Sequence, residues 1–138
     1  MKGLFYVKKL LVELKDIREE LLMIQEKIKG IDEVLLVPRI SKFSDMPKSK
    51  SNNENGIIEG LIFKEELEEK YNERLLYFLK HKQILENKFN ECDLNLKEKR
   101  VLENYYFSNK TWNEVSDDLG ISLSWVFKIH KSALFKIH

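Results

Sequence analysis

Residues 111–131 read T-W-N-E-V-S-D-D-L-G-I-S-L-S-W-V-F-K-I-H-K, and the spacing inside this stretch decides the fold. Thr111 followed by Glu114 is a capping box, in which each side chain accepts the other residue's backbone N–H; it predicts a helix over Trp112–Leu119. Gly120 supplies the residue that turns left-handed most readily after a helix. Ser122 then offers its hydroxyl as the N-cap of another helix, expected to run to about 135. Val115, Leu119, Ile121, Val126 and Ile129 fall on the inward sides, as two short helices require if they pack across a tight turn. The stretch is a helix-turn-helix. Upstream, Asn95 and Glu98 form another capping box and open a helix through Val101, Leu102 and Tyr105, so residues 93–138 are expected to form a three-helix domain.

With Gly120 fixing the turn, Leu123, Ser124, Phe127, Lys128 and Lys131 project outward from the second helix of the motif. In a helix-turn-helix that face enters the major groove of double-stranded DNA, its N-terminal residues against base edges. Residues 121–138 hold Lys128, Lys131 and Lys136 and no acid, whereas Asp117 and Asp118 sit on the preceding helix. Positive charge is therefore concentrated where phosphates would lie. Trp112 reads as core. Trp125 and Phe127 are open to two readings, packing against other helices or facing outward.

Working towards the N-terminus, the pattern changes. In residues 1–37, Val7, Leu10, Leu14, Ile17, Leu21, Ile24, Ile28 and Ile31 recur at alternating steps of three and four, the seam of a coiled coil. Pro38 is expected to end this first long helix. Residues 38–56, rich in Ser, Asn, Lys, Pro and Gly, read as a flexible polar linker. A second long helix is expected over 57–92, with Tyr71, Leu75, Phe78, Leu85, Phe89 and Cys92 on its seam and Lys82 interrupting it. The fold class is all-α: a two-helix coiled-coil arm, either an antiparallel hairpin or an intermolecular pairing, followed by the helix-turn-helix domain.

Composition excludes several other classes. The 138 residues carry 24 basic and 23 acidic side chains, a net charge of +1, so binding to nucleic acid through bulk charge is not expected. A single cysteine, Cys92, excludes an internal disulfide framework and reads as a buried structural thiol. His81, His130 and His138 are too scattered for a metal site and read as surface residues. Glycine-rich phosphate loops, nucleophile elbows and metal-ligand spacings are missing from the sequence, so no enzymatic activity, cofactor or small-molecule substrate is expected. The N-terminal stretch, broken by Lys2, Lys8, Lys9 and Glu13, lacks the apolar block of a signal peptide, and no run is apolar enough to span a membrane. A cytoplasmic location is expected. Lysine outnumbers arginine 20 to 4 and there are 10 asparagines, a bias of A/T-rich coding sequence that points to a low-GC bacterium, phage or plasmid.

Residues 96–134, L-K-E-K-R-V-L-E-N-Y-Y-F-S-N-K-T-W-N-E-V-S-D-D-L-G-I-S-L-S-W-V-F-K-I-H-K-S-A-L, resemble region 4 of bacterial sigma factors. They are more closely similar to the sigma-like C-terminal domain of small phage transcriptional regulators of the RinA and ArpU kind. The order of long charged helix, polar loop, second long helix and this domain resembles those proteins too. The resemblance implies a sequence-specific DNA-binding transcriptional regulator acting at promoters, with RNA polymerase as a further implied partner. It also implies that Leu123, Ser124, Phe127 and Lys128 form the base-reading face and that Thr111 and Lys131 contact phosphates. Ser122, at the start of the same helix, joins this DNA-binding set. The sequence departs from region 4 at Leu123 and Phe127, where basic or polar residues are usual, and at Ser132, where a basic residue is usual. Upstream there is no sigma region 2, so the resemblance does not extend to a complete sigma factor.

One weakly basic recognition helix makes few phosphate contacts, so a homo-oligomer, with a dimer favoured, would raise affinity through effective concentration. Two other function classes fit the same pattern. A small-terminase-like DNA-packaging adaptor would form a ring of many subunits. A polymerase- or sigma-binding interaction module would bind no DNA at low salt.

Overall fold

The computed structural model describes residues 2–42 and 50–137, and side-chain surroundings for 6–35 and 55–137. Every regular element among them is helical. α1 spans Lys2–Lys42 and α2 spans Lys50–Glu91; α3, Leu96–Leu102, runs without a break into a π-helical turn at Glu103–Phe107. α4, Trp112–Leu119, and α5, Leu123–Lys136, follow. The chain is thus all-α, with two long helices packed together and a C-terminal helical domain after them.

The long helices run further than the sequence suggests. α1 continues through Pro38 to Lys42, and α2 begins at Lys50 rather than near 57. Proline forfeits only its own N–H, and with it the single bond to the carbonyl four residues back, so helical turns can persist on either side. Of the linker expected at 38–56, residues 43–49 lie outside the described residues.

The chain divides into two compact units, one of residues 20–75 and the other of residues 1–19 and 76–138. In the first, Leu21 and Ile24 are buried on the α1 seam and Ile28 and Ile31 are half-buried. Arg74 donates to the Glu20 carboxylate at 3.2 Å, the Gln25 amide donates to the Tyr71 hydroxyl at 2.8 Å, and Lys64 pairs with Asp32 at 2.8 Å. Later residues of α1 meet earlier residues of α2, so the two segments are antiparallel. These pairs are partly exposed and each contributes at most about 1 kcal/mol; the apolar seam holds the segments, and the pairs fix its register. Gly60 permits close approach, since a Cβ there would lie 3.1 Å from a Leu35 methyl carbon.

The second unit is built on Val7, Leu10, Leu11, Leu14 and Ile17 of α1 and Phe78, Leu85 and Phe89 of α2, all buried. Here too the segments are antiparallel: the Tyr77 hydroxyl donates to Glu13, and Tyr6, Val7 and Leu10 share a groove of about 300 Å³ with Ile84, Leu85 and Lys88. The seams that the sequence leaves open to intermolecular pairing are therefore matched within one chain. Lys82, which breaks the α2 seam, has its ammonium 5.7 Å from the centre of the Phe107 ring and 3.7 Å from the Glu86 carboxylate, so its charge finds partners there. Cys92 is half-buried rather than buried.

In the same unit, α3, the π-helical turn, α4 and α5 enclose a small core of Val101, Val115 and Val126, with Tyr105, Trp112, Leu119, Ile121 and Ile129 packed around it. Phe89 of α2 stacks on Phe107 with ring centroids 5.9 Å apart. The Lys15 ammonium of α1 donates to the Tyr105 carbonyl at 2.9 Å and lies 3.8 Å above the Tyr105 ring. Burial lowers the Lys15 pKa, against the raising influence of Glu19 and Asp16.

The turn between α4 and α5 follows from its sequence. Gly120 sits at φ 65° and ψ 34°, the left-handed region. The Gly120 N–H donates to the Asp117 carbonyl and the Ile121 N–H to the Ser116 carbonyl, the paired bonds of a Schellman motif. The Ser116 hydroxyl donates back to the Ile121 carbonyl. A Cβ at 120 would meet nothing within 4 Å, so only the backbone opposes a side chain there. Gly120→Ala is expected to cost about 1–2 kcal/mol, the penalty of a left-handed L-residue, read as a lower midpoint in thermal unfolding.

Candidate nucleic-acid interface

α5 owes its start to Ser122, whose hydroxyl accepts the Trp125 N–H at 3.2 Å and lies 3.4 Å from the Ser124 hydroxyl. Thr111 does the same for α4: its hydroxyl accepts the Glu114 N–H at 3.2 Å, and the Glu114 carboxylate accepts the Thr111 N–H at 3.1 Å. Both expected caps are present. A hydroxyl that caps a helix spends a lone pair and keeps its proton, so Thr111 and Ser122, both exposed, retain a donor for an outside acceptor such as a phosphate oxygen.

Along α5 the buried residues Val126 and Ala133, followed by Ile137 just past its end, mark the inward side. Ser124, Lys128 and Lys131 lie on the opposite side, spaced four and three apart, and all three are exposed. Leu123 and Phe127, four apart, form an adjacent stripe and are 37% and 45% exposed. The structure thus brings six of the seven sequence-assigned residues onto one helix and its cap, with Thr111 at the head of the neighbouring helix. Two further large apolar side chains of α5 are exposed without belonging to that set. Trp125 is half exposed with the Lys128 ammonium 5.5 Å from its ring centre, and Phe135 is the most exposed large apolar residue of the helix.

Charge on this face is simpler than the sequence suggests. α5 contains no acid. Lys136, grouped by sequence with the phosphate-facing lysines, instead binds the Glu98 carboxylate at 2.8 Å, which leaves Lys128 and Lys131 as the basic residues of the outward face. Glu98 is 2% exposed and also accepts the Asn95 N–H at 2.9 Å and the Ser132 hydroxyl at 2.9 Å. Burial opposes its ionisation, but the bonds from Lys136, Asn95 and Ser132 outweigh burial and lower its pKa. On α4, Asp118 is paired with Lys110, so its charge is offset locally.

His130 is not the surface residue that the sequence suggests. Its Nε2 lies 2.8 Å from the Tyr106 hydroxyl, and its ring sits edge-on to Trp112 at 4.8 Å between centroids. Trp112 in turn stacks on Tyr105 at 3.6 Å. Burial, with a smaller contribution from the positive charge of Lys8, lowers the His130 pKa, while burial and Tyr105 push the Tyr106 pKa up to about 12. A neutral imidazole and a neutral phenol are therefore the stable pair. The sequence does carry a signal for this: Val126, His130, Ala133 and Ile137 recur at four, three and four, which puts His130 on the inward stripe. Among the described residues, no group of three or more His, Cys, Asp or Glu is placed to hold a metal ion. Nor is any described helix long and apolar enough to cross a membrane.

α5 is thus a capped, acid-free helix with hydroxyls at its start, two lysines along its outer side, and a second capped helix packed against it. Comparison with curated proteins and with solved structures found no match. Residues 92–138 do match the family model of sigma-70, region 4, so the C-terminal part of this chain is similar to the sigma region 4 helix-turn-helix, which points to DNA binding in transcription.

Proposed function

We propose that the protein is a sequence-specific DNA-binding regulator of transcription, of the phage RinA and ArpU kind, that acts at promoters as a dimer and without catalysis. One observation carries the reading: the outward side of α5 joins Ser122, Ser124, Lys128 and Lys131 on an acid-free helix positioned by the Gly120 turn. Phosphate contacts set register and affinity, and the first turns of the helix face the bases. Two lysines give a modest electrostatic contribution, so two linked copies would suit a specific site better than one. Exposed Ile58, Leu61, Ile62 and Phe63 on α2 support self-association. RNA polymerase is the second proposed partner, and the DNA-bearing cytoplasm the place of action.

The test is selection of bound duplexes from a random pool by the full-length protein. Enrichment of one site with two-fold symmetric halves is the expected outcome. Failure to enrich any duplex at low salt would overturn the reading in favour of a protein-binding module. A many-subunit ring in light scattering would replace it with the packaging adaptor.

A further inference from the structure

We infer that the protein reads its DNA site through the C5 methyl groups of thymine, with Leu123 and Phe127 as the specificity-determining side chains; this rests on the DNA-binding reading above. The first ground is what α5 lacks. Guanine is read by arginine or lysine, adenine by the amide of asparagine or glutamine, and the cytosine amino group by a carboxylate. The sequence of α5, LSWVFKIHKSALFK, contains none of these residues but lysine. Its remaining polar groups are serine hydroxyls, which donate and accept and so distinguish bases weakly, and lysines, which act as point charges. The major-groove feature left for an apolar side chain to recognise is the thymine methyl.

The second ground is placement. Leu123 opens α5 and Phe127 lies one turn further along the same stripe, the part of a recognition helix that faces base edges. Neither is needed to fill the core, which Val101, Val115 and Val126 close, and both remain 37–45% exposed. The Phe127 ring is also braced: it stands edge-on to Trp112 at 5.3 Å between centroids and 75° between planes, and Trp112 is itself stacked on Tyr105. A braced ring loses little freedom when a methyl group packs against it, so more of the contact appears as affinity. Lys128 and Lys131, one and four positions beyond Phe127, would hold the flanking phosphates and keep the stripe pressed into the groove.

The experiment uses the full-length protein and a duplex selected from a random pool, resynthesised with uracil replacing thymine one position at a time. Uracil keeps the pairing and hydrogen-bonding edge and removes only the methyl. Wild type is expected to lose roughly fourfold in affinity for each contacted methyl, and about 15-fold for two, from the burial of one carbon group apiece. Phe127→Ala is expected to bind the thymine and uracil duplexes equally at the position it reads, and Leu123→Ala likewise at its own. Phe127→Leu, which keeps an apolar side chain, should retain part of the discrimination. Thermal unfolding of each variant separates a failure to read from a failure to fold. Specific binding that is indifferent to every thymine-to-uracil change would overturn the inference and leave DNA binding standing. So would specificity that instead disappears when guanine is replaced by 7-deazaguanine. If no duplex is selected at all, the DNA-binding reading itself falls, and this inference with it.

Discussion

Glu98→Ala is expected to lower the free energy of unfolding by about 3 kcal/mol. The carboxylate is 2% exposed and closes the capping box of α3 while accepting from Ser132 and Lys136, residues of α5 that lie 34 and 38 positions away. Alanine abolishes all of these bonds and opens a cavity. The cost stays below that of a fully buried ion pair because Lys136 is 39% exposed and recovers water when its partner goes. Glu98→Gln, which keeps the shape and an acceptor oxygen, should cost about half as much.

The same residue sets part of the acid response. A carboxylate whose pKa is lowered on folding contributes stability that is present above its unfolded value, ordinarily 4.5, and is lost as pH falls through the folded value. His130 acts earlier in the descent. Its folded pKa lies below the ordinary 6.5, so the unfolded chain takes up the proton first and stability begins to fall as pH drops through 6.5. Urea unfolding of Glu98→Ala should therefore show a flattened limb below about pH 4.5 and an unchanged decline nearer 6.5. Equal stabilities of variant and wild type at pH 7 would show that the carboxylate does not hold α3 to α5.

Lys128→Ala combined with Lys131→Ala is expected to weaken binding to a selected DNA site by about 60-fold per bound domain at 0.1 M salt. The figure follows from counterion release: each neutralised phosphate contributes about 0.9 to the slope of log affinity against log salt, so removing two lowers the slope by about 1.8 per bound domain. The fold should survive, because both side chains are exposed and the Lys128 ammonium gives up little more than its position beside the solvent-facing Trp125 ring. Mobility shifts across a salt series read both quantities. Binding as tight and as salt-dependent as wild type would show that another face meets the DNA.

The parts of this fold legible in the sequence are those fixed by neighbours in the chain. Both capping boxes, the Gly120 turn and the Ser122 cap depend on residues within about four positions of one another, and each stands where local chemistry puts it. The three–four seam of α1 is equally plain, since Val7 through Ile24 bury the residues it names. Glu98 is legible only in half of its role. Its link to Asn95 is local, but its burial depends on Ser132 and Lys136, which no periodicity connects to it. The partnership of Lys136 is hidden for the same reason, and its sequence position alone suggests a phosphate instead. The π-helical turn at Glu103–Phe107 leaves no trace in composition, and the partners it meets, Lys15 on one side and Phe89 on another, come from distant helices. Of the interface, the cap hydroxyls and outward lysines can be read directly. The bracing of Phe127 by Trp112, and of Trp112 by Tyr105, cannot.

The bond from Lys15 to the Tyr105 carbonyl spans 90 positions of chain, and that separation has a cost during synthesis. A ribosome adds about 5–20 residues per second, so Lys15 is made roughly 5–20 s before the carbonyl it will hold. The apolar stripe of α1, formed by Val7, Leu10, Leu14 and Ile17, waits almost as long, because Phe78, Leu85 and Phe89, which cover it, also belong to the later half of the chain. The pace of translation, rather than any conformational search, then governs how long a sticky nascent stripe is offered to its surroundings. Ribosomes crowded on one message would present several such stripes side by side before the α2 of each chain is made.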